Sequence, residues 1–242
     1  MLYVDIVKKL DNFTLKASFN VDGDVTALFG ASGAGKSMTL KCIAGIEKPD
    51  SGVVQLNGRT LFDSSEHINL PPQKRRVGYL FQEYALFPNM TVKGNIEAGM
   101  RSLKKSERID KTAELIDHFR LNGLENKRPS TLSGGEQQRV ALARIFASQP
   151  EVILLDEPFA SLDILLKSEL IPYIKDIING FGGESILVSH DADEVLSMCE
   201  RVTEISSGVT GSTITAEDFK SKMKVIYEKA GLNIGRFNNH ER

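Results

Sequence analysis

Val25-Thr26-Ala27-Leu28-Phe29-Gly30-Ala31-Ser32-Gly33-Ala34-Gly35-Lys36-Ser37 runs from an apolar, β-prone stretch into a glycine-rich turn, and a helical stretch follows from Lys36 to about Gly45. A nearly continuous apolar run reads as a strand buried on both faces. The eight residues from Gly30 to Ser37 fill every defined position of the pattern G-x-x-x-x-G-K-[ST]. Glycines there let successive backbone N–H groups converge on phosphate oxygens without Cβ clashes, and the helix N-terminus adds partial positive charge. In that pattern Lys36 reaches the β- and γ-phosphates and the Ser37 hydroxyl ligates Mg²⁺.

Downstream, Val152-Ile153-Leu154-Leu155 is a second buried-strand candidate that ends in Asp156-Glu157. On its own, an acidic pair after a strand is more often a helix cap or a solvated surface. Below a phosphate loop it gains a chemical reading, with Asp156 holding the metal and Glu157 polarising a water as general base. Val77-Gly78-Tyr79-Leu80-Phe81 and Ser185-Ile186-Leu187-Val188-Ser189 are further buried-strand candidates. Phe13 to Phe19 alternates apolar and polar, which predicts a half-buried strand near a sheet edge. Pro49-Asp50-Ser51-Gly52 is a turn signal, and Val53 to Leu56 followed by Asn57-Gly58 predicts a hairpin. Between Phe87 and about Leu124 the pattern turns helical. Val202 to Ile205 is strand-like, a glycine-rich turn follows, Ala216 to Lys229 is an amphipathic helix, and the polar residues from Asn233 are expected to fray. Buried strands alternating with helices give an α/β fold with a largely parallel sheet.

The bulk properties exclude more than they select. A net charge of −2 over 242 residues carries no basic bias, so it gives no reason to expect nucleic acid as a partner. Cys42 and Cys199 stand in no metal-ligand spacing. Met1 to Lys9 has an acid inside its apolar run and does not read as a signal peptide. The uncharged apolar runs are far too short to span a bilayer, so any membrane role is expected through a partner.

Leu132-Ser133-Gly134-Gly135-Glu136-Gln137-Gln138-Arg139 resembles the LSGGQ signature of the ATP-binding-cassette (ABC) ATPases, with Glu136 where glutamine is commoner. Ser133 and Glu136 also have the S-x-x-E spacing of a capping box before a helix from Gln137 to Ala147, and both readings can hold at once. Other segments fit the same resemblance in order. Gln82 looks like the glutamine that senses Mg²⁺ and the γ-phosphate, Ser161-Leu162-Asp163 like the loop that crosses the dimer interface, and His190 like the switch histidine. The resemblance implies a P-loop ABC core over residues 1–212. That core would have an N-terminal antiparallel β subdomain and a helical subdomain inserted at about 87–150, followed by a C-terminal helical extension over 213–242.

It implies further that Glu157, His190 and Gln82 are catalytic. Gly30, Ala31, Ser32, Gly33, Ala34, Gly35, Lys36 and Ser37 would bind nucleotide, and Ser133, Gly134, Gly135 and Glu136 would bind the ATP of a second copy. Ser37, Gln82 and Asp156 would hold Mg²⁺. The family usually stacks adenine on an aromatic residue after the first strand. Leu10 stands there, and Phe13 is expected to be core.

A single cassette without membrane spans looks like an importer subunit. Phe29 to Lys36, Lys74 to Gln82, Leu86 to Val92 and Asn95-Ile96 resemble the ATPase subunit of molybdate importers. The implied activity is ATP hydrolysis that powers transport of an oxyanion such as molybdate. The implied partners are a second copy through an ATP sandwich, integral membrane permease subunits and, indirectly, a substrate-binding protein, at the cytoplasmic face of the membrane. A soluble ABC switch acting on nucleic acid or the ribosome is the alternative. The segment Tyr84 to Met90 either fills the helical subdomain's core or forms an apolar groove for a permease helix.

Overall fold

The computed structural model describes residues 1–100, 103–160 and 162–230; Ser161 and the polar tail from Asn233 lie outside the described residues. β1 (Leu2–Lys9) and β2 (Thr14–Val21) pair antiparallel, from Leu2 opposite Val21 to Lys9 opposite Thr14. Along them Leu2, Val4, Ile6, Leu15, Ala17, Phe19 and Val21 are buried, while Asp5, Lys16 and Ser18 face solvent. β3 (Val25–Phe29) leads into α1 (Lys36–Ala44). β4 (Ser51–Leu56) and β5 (Arg59–Asp63) form the hairpin expected at Asn57-Gly58, whose φ values of 50° and 76° are the left-handed pair that a type I′ turn requires. β6 (Ile68–Asn69) and the single-turn α2 (Pro72–Arg75) precede β7 (Val77–Leu80).

Three helices follow before the chain returns to the sheet: α3 (Val92–Glu97), α4 (Lys105–His118) and α5 (Gly134–Ala147). β8 (Val152–Asp156), α6 (Ile164–Phe181), β9 (Glu184–Ser189), α7 (Ala192–Met198) and β10 (Arg201–Ser206) then alternate. β11 (Val209–Thr215) and α8 (Ala216–Lys229) complete the described chain.

Among the described residues, eleven strands join one sheet in the order β6-β5-β4-β1-β2-β11-β10-β3-β9-β8-β7. β10, β3, β9, β8 and β7 run parallel, and β1, β2, β4, β5 and β6 pair antiparallel. β11 joins the halves, antiparallel to β10 and parallel to β2. β2 is therefore an interior strand, not the edge strand its alternation predicts. The alternation marks a sheet with one solvated face, which an interior antiparallel strand shows equally well.

Every residue of β8 and β9 is buried. Burial of each large aliphatic side chain there contributes about 1.5–3 kcal/mol. The expected boundary at 212/213 falls inside β11, and Phe219 and Met223 of α8 belong to the same buried cluster as Val25, Ala27 and Val202. Residues 213–230 thus pack with the core. Phe219 meets Phe29 edge-on at 4.9 Å, directly below the glycine-rich loop. Among the described residues, no helix is long and apolar enough to cross a membrane.

Candidate functional site

The loop from Gly30 to Gly35 leaves the C-terminal end of β3, flanked by β9 and β10. The carboxyl ends of parallel strands are where open α/β sheets bind ligands. Two of its glycines are required by geometry. A Cβ on Gly30 would lie 2.2 Å from the Ile205 carbonyl oxygen, and Gly35 has φ of 106° with Leu15 Cδ1 2.9 Å from where a Cβ would stand. The Lys36 ammonium is buried inside this wrap and donates to the carbonyls of Gly30 at 2.7 Å and Ala31 at 3.0 Å. Burial lowers its pKa from the ordinary value, and the nearby carboxylates of Glu157 and Asp156 partly oppose that shift.

At the next residue, Ser37 Oγ donates to Asp156 Oδ1 at 2.7 Å. The other Asp156 oxygen accepts from the Tyr79 hydroxyl at 2.7 Å, and burial followed by this bond pushes the phenol's pKa up. Tyr79 was not a predicted site residue. It faces Leu154 in the β7–β8 register, and a tyrosine inside a buried strand needs a partner for its hydroxyl, which is the signal that could have found it. Glu157 follows β8 with φ of 45°, a left-handed conformation uncommon for a residue with a side chain. Its N–H donates to Val188 O at 3.0 Å. Its Oε1 lies 3.7 Å from Lys36 Nζ and 3.3 Å from His190 Nδ1. A lysine, an acid and a histidine are therefore brought together from three elements.

Gln82 lines the same cavity of about 480 Å³ with Ser32, Lys36, Ser37 and Glu157. It lies just after β7 and just before two consecutive left-handed residues, Tyr84 and Ala85. Arg144 of α5 donates to both of their carbonyls, at 3.0 and 2.8 Å, and its guanidinium lies 5.1 Å from the Phe87 ring centre. In the following segment Tyr84 is buried and Leu86 packs half-buried on the core, while Phe87 and Met90 are exposed. The core reading of that segment thus holds for Leu86 and not for Phe87.

At the far end of the cavity Leu10 and Phe13 form an apolar wall. The expectation that Phe13 is core is met in part, since the ring is partly buried and packs against the cluster that holds Leu15, Leu28 and Ile205. Leu10 N–H donates to Phe13 O at 2.9 Å, closing a turn ahead of β2 that sets the partly buried ring above Gly35 and Gly208.

The signature residues form the expected capping box. Glu136 Oε2 accepts from Ser133 N–H at 2.7 Å, Ser133 Oγ accepts from Glu136 N–H at 3.3 Å, and the same hydroxyl donates to Glu136 Oε2 at 2.9 Å. The bond from the Ser133 backbone holds the Glu136 carboxyl below its ordinary pKa. Ser133, Gly134, Gly135 and Glu136 do not line the cavity at the phosphate loop of their own chain. Leu162 and Leu166, at the start of α6, pack beneath the two glycines.

A glycine-rich loop between a parallel strand and a helix, facing an acidic strand end, defines a P-loop nucleotide-binding α/β protein. Residues 13–160 match the family described as ABC transporter, and the chain belongs to that family. It is 39% identical over 208 residues to a molybdenum import ATP-binding protein, ModC, of Paramagnetospirillum magneticum, covering 86% of this chain and 57% of that protein. It is 42% identical over 223 residues to a ModC of Brucella melitensis, covering 90% and 61%. The chain thus spans about three fifths of the length of the curated relatives it matches.

Among solved structures, the cassette MJ0796, described as a dimeric post-hydrolysis state bound to ADP and Pi, is similar with a TM-score of 0.74. It is 26% identical, and the match covers 89% of this chain and 99% of that one. CbiO1 of Clostridium perfringens, part of the ABC transporter complex cbiONQ, reaches a TM-score of 0.79 at 27% identity, covering 97% and 96%. The ABC ATPase fold expected from the sequence is therefore the fold of this chain.

Proposed function

We propose that the chain is the ATP-hydrolysing subunit of an ABC importer whose cargo is an oxyanion such as molybdate. The observation that carries the hydrolytic part is Glu157, whose one oxygen faces both the Lys36 ammonium and the His190 imidazole at the mouth of the phosphate loop. The loop N–H groups and Lys36 bind the β- and γ-phosphates, Glu157 accepts a proton from the attacking water, and His190 contacts the γ-phosphate oxygens. Gln82, lining the cavity between the loop and the helices, senses whether that phosphate is present. Phe13 with Leu10 offers the apolar wall against which adenine stacks.

Ser37 and Asp156 suit magnesium: a hydroxyl and a carboxylate 2.7 Å apart are the hard oxygen donors that this ion prefers, and Gln82 adds an amide oxygen. When bound, the ion neutralises phosphate charge.

The signature residues lie away from their own chain's loop, so one chain holds half of each site. Two copies closing head-to-tail would bring Ser133, Gly134, Gly135 and Glu136 of one to the ATP of the other, where a capped helix N-terminus favours an anion. Hydrolysis would reopen the pair and move integral membrane permease subunits, fed by a substrate-binding protein, with this subunit held at the cytoplasmic face. The resemblance to import ATPases supports transport over a nucleic-acid switch. Cells lacking this chain should fail to accumulate molybdate at low external concentration and regain it on complementation. Unchanged molybdate accumulation in the deletion would remove the cargo assignment while leaving the ATPase reading to its own test.

A further inference from the structure

Glu194 is a carboxylate that the reaction leaves unused, and it is only 5% exposed. A carboxylate buried this deeply is strongly unfavourable unless both oxygens are satisfied. Here they are. Oε1 pairs with Lys167 Nζ at 2.7 Å, and Oε2 accepts from Ser189 Oγ at 2.7 Å. Ser189 Oγ in turn accepts from the Asp191 N–H at 3.0 Å.

Ser189 and Asp191 flank His190, so the turn that carries the histidine is closed on a hydroxyl anchored by Glu194. At the other end, Lys167 sits in the first turn of α6, its N–H donating at 2.9 Å to the carbonyl of Asp163. Asp163 is the helix cap, its side chain accepting from the N–H groups of Leu165 and Leu166. The His190 ring itself is about half exposed and, among the described residues, makes one polar contact, at 3.3 Å to Glu157. Its aim is therefore set mainly by its backbone turn.

We propose that Glu194 is a positioning residue for His190, and that the chain Lys167–Glu194–Ser189 makes the histidine's orientation follow the N-terminus of α6. That helix start also packs Leu162 and Leu166 beneath Gly134 and Gly135. One partly buried ion pair thus links the signature region to the histidine of the same chain. The consequence for turnover rests on the ATPase reading above; the consequence for the imidazole does not.

The test uses the full chain with Glu194→Gln, Glu194→Ala and Lys167→Met. Glu194→Gln keeps the shape and the acceptor for Ser189, so it serves if Glu194→Ala fails to fold. The first readout is the long-range proton–nitrogen spectrum of the imidazoles without nucleotide, with His190 assigned by its loss in His190→Gln among the four histidines. The proposal expects the His190 signals to move in all three variants. The second readout is ATP turnover, where a misaimed group costs about tenfold to a hundredfold in kcat. ATP affinity should stay within about twofold, and adding Glu194→Ala to His190→Ala should cost less than about twofold more. Moved signals with no turnover in the wild type would uphold the positioning and sink the ATPase reading. Unmoved His190 signals would overturn the proposal, as would an undiminished Glu194→Ala effect on kcat in the His190→Ala background.

Discussion

Glu157 Oε1 stands 3.3 Å from His190 Nδ1. Parallel pairing makes this possible, because Asp156 is in register with Val188 and each strand ends within two residues of its reactive side chain. Both groups come to the same loop from neighbouring strands. If the histidine acts on charge that develops in the transition state, as proposed, His190→Ala should lower kcat by about tenfold or more while ATP affinity stays within about twofold. Steady-state phosphate release beside equilibrium nucleotide titration checks this. A raised Kd with an unchanged kcat would assign His190 to binding instead.

If Lys36 meets phosphate in both ground and transition states, as proposed, Lys36→Ala should lose affinity as well as turnover. Burial lowers the lysine's pKa below its ordinary 10.5 in the nucleotide-free chain. Its positive charge is lost as pH rises through that lowered value. ATP affinity should accordingly weaken at alkaline pH before an ordinary lysine would titrate, and Lys36→Ala should lack that limb. Nucleotide titration across pH 7 to 10 reads both effects.

The capping box ties Glu136 to Ser133, and Glu136→Ala should destabilise the chain by about 1 kcal/mol, the usual cost of losing an N-cap bond. The folded-state pKa of Glu136 is depressed. The carboxylate's contribution is therefore fully present above the unfolded value of about 4.3 and fades as pH falls through the lower folded value. Chemical denaturation at pH 7 and at pH 3 should show the difference between wild type and Glu136→Ala shrinking at the acid end. A constant difference would mean that the carboxylate's charge contributes nothing to the cap.

Phe87 and Met90 are exposed beside the Gln82 loop, while Leu86 is half-buried on the core. Phe87→Ser and Met90→Ser should leave basal ATPase activity and thermal stability unchanged and weaken capture of the membrane permease. Leu86→Ser should lower stability by about 1–3 kcal/mol, as loss of a packed apolar side chain does. Pull-down of the permease together with thermal unfolding of the same preparations distinguishes the two behaviours.

The phosphate loop, the acidic strand end and the helix from Ala216 to Lys229 were legible because each is a local pattern: glycines at fixed offsets, an apolar run with charged ends, a helical period. The interior place of β2 was not, since alternation reports a wet face and not a neighbour. Phe13 is a related case. The alternation that begins there is real, but the ring belongs to the turn closed by Leu10, and only the fold sets that turn above Gly35. Tyr79 and Arg144 act on residues that are near only in three dimensions, at Asp156 and at the carbonyls of Tyr84 and Ala85. A sequence pattern has no term for such contacts.

Glu157→Gln tests the central claim most directly. The change keeps the side chain's size and removes its basicity, so ATP should still bind while hydrolysis slows by about a hundredfold or more, as loss of a general base requires. With signature residues supplied by a second copy, the variant should also collect as an ATP-dependent dimer in sedimentation, and adding Ser133→Arg should abolish that dimer without changing nucleotide affinity. Near-normal turnover in Glu157→Gln, or a variant that stays monomeric with ATP bound, would contradict the account.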